Sequence, residues 1–507
     1  MTLPAWLQPL PDAAQMRATD AWAIQDRGAP SLDLMERAGE GLTRVVEDVA
    51  ADGVVAVVAG KGNNGGDGLV TARLLREKGR DVRVLAVGDL SESQGDAKVN
   101  LERLPGDPPV PFSPDALNGA AVAVDAMLGT GFSGAPREPI RSAIVAIDDA
   151  GAAVVAVDVP SGVDASTGAV EDVAVRATAT ATFHRAKPGL WIHPGKEHAG
   201  EVRVIDIGIP LGAPVEDEVR VGLIERTVID AIPRRGAAST KFTSGAVLVA
   251  GGSLGLTGAP CMASEAAARA GAGYVTVCVP ASLDLVFEIR LLEVMSVPLP
   301  DADGSLVPQG ASTVVGRAER VQAVVLGPGL GREDGAFAFA REVARDTPVP
   351  LLIDADGLNA HAGRLEDLRA RGAPTVLTPH AGELARLLET DSQTVDKTRL
   401  EHVRDAARRS GAVVVLKGDD TLVAEPEGRV GVSPGGSPAL ATAGTGDVLS
   451  GVVGALLAQG LEPFDAACAG VFLHAEAGRR AARDVGAPEG VIAGDVIAAL
   501  PHALGER

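Results

Sequence analysis

Between Gly60 and Gly68 the chain reads Gly60-Lys61-Gly62-Asn63-Asn64-Gly65-Gly66-Asp67-Gly68. Glycines at this density let backbone close on a ligand, and amides that open a helix face an anion such as a pyrophosphate. Gly60, Gly62 and Gly65 fit the GxGxxG spacing, a weak signal alone, and the Asn63-Asn64 pair with Asp67 adds polar groups that this spacing does not require. The plainer alternative is a Gly-rich turn whose asparagines take left-handed conformations. Asp125 and Asp158 end two apolar runs, AVAVD and VVAVD, and lead into the loops Gly129-Thr130-Gly131-Phe132-Ser133-Gly134-Ala135 and Pro160-Ser161-Gly162-Val163-Asp164. Oxygen donors from Asn, Asp and Ser suit a hard cation that needs neither Cys nor His. One such aspartate could be a turn cap; two beside two Gly-rich loops point to a shared pocket.

A second set lies in the other half of the chain. Lys417-Gly418-Asp419-Asp420-Thr421 follows an apolar run, and Ala443-Gly444-Thr445-Gly446-Asp447 precedes a helix-like one. The GTGD stretch offers backbone amides at a helix start, an anion hole with a carboxylate one step inside. Asp354, Asp356 and Asn359 of DADGLN and Thr378-Pro379-His380-Ala381-Gly382-Glu383 are expected nearby. No GxxxxGK[ST] sequence occurs, which excludes a P-loop. Taken singly, GTGD could be a capped helix start and His380 a turn histidine.

The elements that must hold these residues follow from hydrophobic periodicity. Strands are expected at 53–60, 81–87, 120–128 and 152–160, with helices at 66–79 and 138–150 and docking helices within 11–50. Strand and helix alternating at this spacing predict a parallel, doubly wound sheet, whose strands end at one ligand crevice. The grammar repeats with strands at 245–252, 274–280, 323–329, 350–357, 373–380 and 412–418, and helices at 258–271, 445–459 and 464–482. Residues 210–240 lose the rhythm and collect Pro, Gly and charge, so two domains are expected, 1–215 and 216–507.

Composition bounds the rest. The 507 residues carry 46 Lys plus Arg against 67 Asp plus Glu, a net charge of −21 that disfavours nucleic acid and anionic membrane as partners. Three cysteines without a CxxC pair exclude a disulfide framework and a thiolate zinc site, and fit a reducing compartment. With neither a signal-like start nor a long apolar run, a cytoplasmic location is expected. Only 9 Phe, 3 Trp and 1 Tyr are present, so aliphatic side chains must fill the core and an aromatic platform for RNA is not expected.

GKGNNGGDG, LMERAG, DAMLGTGFSGAP, DVPSGVD and TFHRAKPGL together resemble the YjeF N-terminal family of NAD(P)H-hydrate epimerases over about residues 10–215. The resemblance implies a Rossmann-like fold that inverts C6 of the hydrated nicotinamide ring. It implies hydrate contacts from Asn63, Asn64, Gly65, Gly66, Asp67, from Gly129 through Ala135 and from the catalytic Asp158, with a potassium ion on Asn64, Asp125 and Ser161. Lys187 matches the family's lysine in TFxxxKxGL, where touching the ligand and packing its stem are both open.

GGSLGLTGAP, LGPGLGR, DADGLN, TPHAGE, KGDDT and AGTGD resemble the ADP- or ATP-dependent NAD(P)H-hydrate dehydratases, of ribokinase-like fold, over about residues 235–500. The resemblance implies adenine-nucleotide contacts from Lys417, Gly418, Asp419, Asp420, Thr421 and Gly446. Hydrate contacts are implied for Ala259, Gly329, His380 and Asp447, with Asp447 as catalytic base and Mg²⁺ accompanying ADP. Ser239 to Gly245 departs from the family's lysine-histidine-lysine-glycine opening. The expectation is a bifunctional repair enzyme acting on NADH-hydrate and NADPH-hydrate at the expense of ADP, and a homo-oligomer. Rival readings are a ribokinase-like small-molecule kinase fused to a YjeF-type domain, and a non-catalytic scaffold; the intact Asn pair and both strand-end aspartates speak against the scaffold.

Overall fold

The computed structural model describes residues 2–505. The chain divides into two compact units, one holding Pro9–Gly222, the other Pro4–Gln8 and the chain from Leu223 onward. The first unit is a seven-stranded parallel sheet in the order Val110–Pro111, Val82–Ala86, Val54–Ala59, Ala120–Ala126, Ala153–Val157, Ala179–Phe183, Glu201–Ile205. Order reverses between Val54–Ala59 and Ala120–Ala126, the point at which a doubly wound sheet opens its crevice. Alternation explains why these Val and Ala runs are apolar throughout. Val55 and Val57 face a core with Leu42, Val46, Leu69 and Leu75, while Ala56 and Val58 face another with Ala143, Ile144 and Ile147. The helices Ser31–Val49 and Asn63–Glu77 thus cover one face, and Ile140–Asp149 the other.

In the second unit the order reads Met295–Leu299, Tyr274–Pro280, Ala246–Ala250, Ala323–Leu326, Leu351–Ile353, Thr375–Leu377, Val413–Leu416, all parallel. Leu422–Ala424 and Val430–Val432 then add antiparallel, followed by Val221–Ile224 and the N-terminal strand Leu7–Pro9. Thr445–Ala458 is nearly buried: Gly454 lies against Val325, and Gly451 against the Ala263 carbonyl of Gly258–Arg269, approaches that a larger residue would block.

The expected strands are all present; Tyr274–Pro280 matches its run and the others are shorter, because the terminal residues of those runs turn into loops at the strand ends. The helix Pro463–Val485 outruns its expected bounds at both ends, and one helix of the first unit starts early. It begins at Asn63 rather than 66, so the Asn pair and Gly65 sit in its first turn. A Cβ on Gly65 would lie 1.8 Å from the Gly60 carbonyl oxygen, so only glycine allows strand and helix to meet this closely. No helix among the described residues is long and apolar enough to cross a membrane.

Candidate active sites

In the first unit a cavity of about 1000 Å³ opens at the carboxyl ends of the strands, lined by Gly60 to Asn64, Asp67, Gly129 to Ser133, Asp158 and Lys187. Gly65 and Gly66 lie buried behind it in the helix, and Gly134 and Ala135 continue the loop beyond the lining. Asp158 follows the strand Ala153–Val157 and holds φ +65°, a left-handed conformation that a non-glycine residue keeps only when its surroundings enforce it. The enforcing contacts are visible. Lys187 Nζ donates to Asp158 Oδ1 at 2.5 Å, Thr130 Oγ1 donates to Oδ2, and Thr182 Oγ1 and the Phe183 amide donate to Oδ1 at 3.2 and 3.3 Å.

Lys187 is among the largest fully buried side chains of the described residues. Its ammonium also donates to Thr182 Oγ1 at 2.9 Å and to the Phe183 carbonyl at 3.1 Å. The alternatives left open by the sequence are thereby narrowed: the charged end reaches the cavity rather than packing its stem alone. Burial opposes ionisation of Asp158, but the lysine together with the hydrogen bonds from Thr130 and the Phe183 amide outweighs it and holds the carboxyl below its ordinary range. Two further acids face the same ammonium. Burial pushes Asp20, on the helix Ala13–Gln25, up to about 6, and pushes Asp67 well above the carboxylate range, with Asp158 adding to both. Asp20 carries no sequence signal, because it comes from an N-terminal helix far from any glycine motif.

Asn64, Asp125 and Ser161 meet around the Leu128 peptide. Asn64 Nδ2 donates to the Leu128 carbonyl at 2.8 Å, the Leu128 amide donates to Ser161 Oγ at 2.9 Å, and Ser161 Oγ donates to Asp125 Oδ1 at 2.6 Å. Asp125 Oδ2 accepts from the Ser161 amide at 2.7 Å. Burial pushes Asp125 up to about 6, and what opposes that rise is hydrogen bonding from Ser161 and Met127 rather than a cationic side chain. The carboxylate, hydroxyl and carbonyl oxygens gathered here are donors of the kind that suit a hard cation.

In the second unit, Lys417 leaves the end of Val413–Leu416 and donates to Asp354 Oδ1 at 2.9 Å, with Glu383 Oε2 at 3.7 Å. Ser450 Oγ, one turn into the helix Thr445–Ala458, donates to Asp354 Oδ2 at 2.6 Å. Burial pushes Asp447 up to about 7, Asp354 and Glu383 adding to the rise and Lys417 opposing it. A Cβ on Gly446 would lie 3.6 Å from Lys417 Nζ, which sets the helix start beside this cluster. Ala259 and Gly329 are neighbours across the sheet's reversal point, Ala259 Cβ lying 3.2 Å from where Gly329 would carry its own.

Other expected members make bonds that do not include Lys417. Asp356 and Asn359 pair with each other, Asp356 also with Arg332 at 3.1 Å, and Asn359 accepts from Arg386. His380 caps the helix Ala381–Leu388, its Nδ1 accepting from the Gly382 amide at 3.0 Å, with Nε2 3.6 Å from Glu383 Oε1. In the loop after Lys417, Gly418 and Thr421 bond each other, Asp419 accepts from the Gly436 amide, and the Asp420 carboxylate turns inward onto Arg399. Ser450 and Arg399 were not singled out in the sequence; nothing local marks a serine inside a helix or an arginine at the start of one.

Fold and geometry define a class: an α/β protein with a dinucleotide-sized crevice in a doubly wound first unit and a buried lysine-carboxylate cluster beside a Gly-rich helix start in the second. Residues 31–189 match the family described as YjeF-related protein N-terminus, and residues 247–502 match NAD(P)H-hydrate dehydratase. A bifunctional NAD(P)H-hydrate repair enzyme of Moorella thermoacetica is 39% identical, over 97% of this chain and 96% of its own. One of Salinibacter ruber is 39% identical over 98% and 96%. An ADP/ATP-dependent NAD(P)H-hydrate dehydratase of Bacillus subtilis, co-crystallised with ATP and Mg²⁺, superposes with a TM-score of 0.48 at 28% identity, covering 55% of this chain and 95% of that one. The chain belongs to the family of bifunctional NAD(P)H-hydrate repair enzymes, with a Rossmann-like domain followed by a ribokinase-like one.

Proposed function

We propose that the first domain interconverts the C6 epimers of NADH-hydrate and NADPH-hydrate in the 1000 Å³ cavity, and that the second dehydrates the S epimer with ADP. The observation that carries the reading is the pairing, on one chain, of an Asp158–Lys187 dyad facing a dinucleotide-sized crevice with a poised Asp447 at an anion-binding helix start.

C6 of the hydrate is a hemiaminal carbon, so inversion needs one bond to it to break and re-form on the other face. Asp158 takes the C6 hydroxyl proton as the ring C6–N1 bond opens to an aldehyde, and Lys187 supplies the proton that N1 gains. Re-addition of N1 to the opposite face returns both protons. Asn63 to Asp67 and Gly129 to Ala135 hold the dinucleotide, and Thr130 fixes the second oxygen of Asp158. Potassium on Asn64, Asp125 and Ser161 would supply the positive charge that the buried Asp125 carboxylate lacks.

In the second domain Asp447 removes the C6 hydroxyl proton while that oxygen attacks the terminal phosphorus of ADP; the P–O bond to AMP breaks and a C6 phosphate ester forms. Amides of Gly444, Thr445 and Gly446 hold the transferring group. The N1 lone pair expels phosphate, and loss of a C5 proton restores the 5,6 double bond of NADH. Ala259, Gly329 and the Nε2 side of His380 contact the hydrate, and Lys417 to Thr421 with Gly446 contact the nucleotide. No group of three or more acidic, His or Cys side chains is set to hold a metal among the described residues, so Mg²⁺ would come with the nucleotide phosphates, whose charge it spreads. The division between residues 1–215 and 216–507 is then a division of labour. Family membership favours repair over a small-molecule kinase, which would share the Asp447 chemistry but have no use for the dyad.

Mixed NADH-hydrate epimers incubated with the purified protein should recover absorbance at about 340 nm with ADP, reaching the whole pool rather than one epimer's share. Recovery confined to half the pool would remove the epimerase half of the reading. Recovery with ATP alone would replace ADP as the co-substrate.

A further inference from the structure

Two consecutive aspartates in a loop that receives polyphosphate are an electrostatic contradiction: each carboxylate repels the ligand the loop is meant to hold. Arg399 resolves it. This side chain lies at the start of the helix Arg399–Ser410, 4% exposed, a degree of burial arginine rarely shows unless paired. Its Nε donates to Asp420 Oδ2 and its Nη2 to Asp420 Oδ1, both at 2.9 Å, a two-pronged pair with a carboxylate that is itself 3% exposed. Nη1 reaches Asp396 at 3.2 Å. The same Nη2 donates to the backbone carbonyls of Leu416 and Lys417 at 3.4 and 3.2 Å, so one guanidinium fixes both the Asp420 side chain and the peptides leading into Gly418.

The fit leaves no slack. A Cβ on Gly418 would lie 2.5 Å from Arg399 Nη2 and 2.8 Å from Asp420 Oδ1. Holding the Lys417 carbonyl also fixes the direction in which Lys417 leaves the strand, toward Asp354 and Glu383.

We infer that Arg399 is the positioning residue of the nucleotide loop: it withdraws the Asp420 charge from the phosphates and sets the Lys417-Gly418 peptides for binding. This rests on the reading of Lys417 to Thr421 as the nucleotide contact, and it goes beyond that reading because Arg399 stands outside every motif that suggested it.

Three variants of the full chain test it, with KM for ADP, KM for hydrate, kcat and thermal melting measured on each. Arg399→Lys keeps the charge but loses the planar fork; KM for ADP should rise about tenfold while kcat and KM for hydrate stay within about threefold. Because Arg399→Met leaves Asp420 without its guanidinium and risks unfolding, Arg399→Met is combined with Asp420→Leu, an apolar replacement of the whole pair that preserves packing. The double variant should melt near the wild type yet keep a raised KM for ADP, since the Leu416 and Lys417 carbonyls still lack their donor. Wild-type KM for ADP in both the Lys variant and the double variant would reduce Arg399 to a folding role and overturn the inference. Thr421→Val separates this failure from that of the underlying reading. If it raises KM for ADP while the Arg399 variants do not, only the inference falls; if it leaves KM for ADP unchanged, the loop is not the nucleotide contact and both fall.

Discussion

Asp447 must be ionised to accept a proton, yet burial and two neighbouring acids hold it at about 7. Because the pKa is raised, the competent form accumulates only above it: kcat/KM for nucleotide-dependent dehydration should climb tenfold per pH unit below about 7 and level off above. Asp447→Asn should abolish the climb along with turnover, while nucleotide affinity stays equal or tightens because a negative charge near phosphates has gone. Asp158 is the opposite case. Lys187 keeps it ionised, so Asp158→Asn should cost epimerisation about 10²–10⁴-fold at neutral pH, with dehydration of the S epimer unaffected. A loss under about threefold would take Asp158 off the list of proton-moving groups. Residues of this kind were legible in the sequence because each ends an apolar run or opens a Gly-rich helix. Asp20, Ser450 and Arg399 were not, since what brings them to the sites is tertiary packing rather than spacing.

At the scale of elements, the apolar runs gave the central strands of both sheets, but most of their ends were overestimated, since Gly252, Gly327 and Asp158 look continuous with the runs while their backbones have already turned. The start of the helix Asn63–Glu77 was placed too late, because two asparagines and two glycines are poor helix formers and only the docking of Gly65 on the Gly60 carbonyl pulls them into the first turn. Gly65→Ala should therefore cost about 1–3 kcal/mol from overpacking and slow epimerisation by tilting the Asn pair. Circular dichroism melting and hydrate KM would read the two effects separately. The strand-end loop holding Asp125 yields a second check. Burial lifts this carboxyl to about 6, above the ordinary aspartate range, so the native state favours the proton, and stability falls as pH rises from about 4 through 6. Potassium beside the ionised carboxylate should raise Tm at about pH 7.5 relative to a large organic cation, with a smaller difference at about pH 5, where the carboxyl is protonated. An equal Tm in both salts at both pH values would leave Asn64 and Ser161 as plain hydrogen-bonding groups.

Across the whole molecule, each compact unit has its own sheet and its own candidate site. Residues 1–215 expressed alone should equilibrate the hydrate epimers without nucleotide; a fragment with native circular dichroism and no epimerisation would count against a self-sufficient first site. The sequence placed the join at 215/216, in the turn Pro214–Glu218, whereas the structure parts the units after Gly222 and hands Pro4–Gln8 to the second one. Three residues of strand at the very start of the chain, Leu7–Pro9, carry no periodicity long enough to reveal this.

That short strand has a kinetic consequence. Leu7–Pro9 pairs with Val221–Ile224, and Trp6 stacks on Phe464 at 6.0 Å between ring centroids. During synthesis Leu7–Pro9 must therefore wait, unpaired, while the entire first unit is made and folds, and Trp6 waits for Phe464. Closing so long a loop is slow, and until it happens Val221–Ile224 presents an open strand edge to other nascent chains. Substitutions in Leu7–Pro9 that block its pairing should lower the yield of soluble protein more than substitutions of equal size on an exposed helix face, without changing the rate of either reaction in the molecules that do fold.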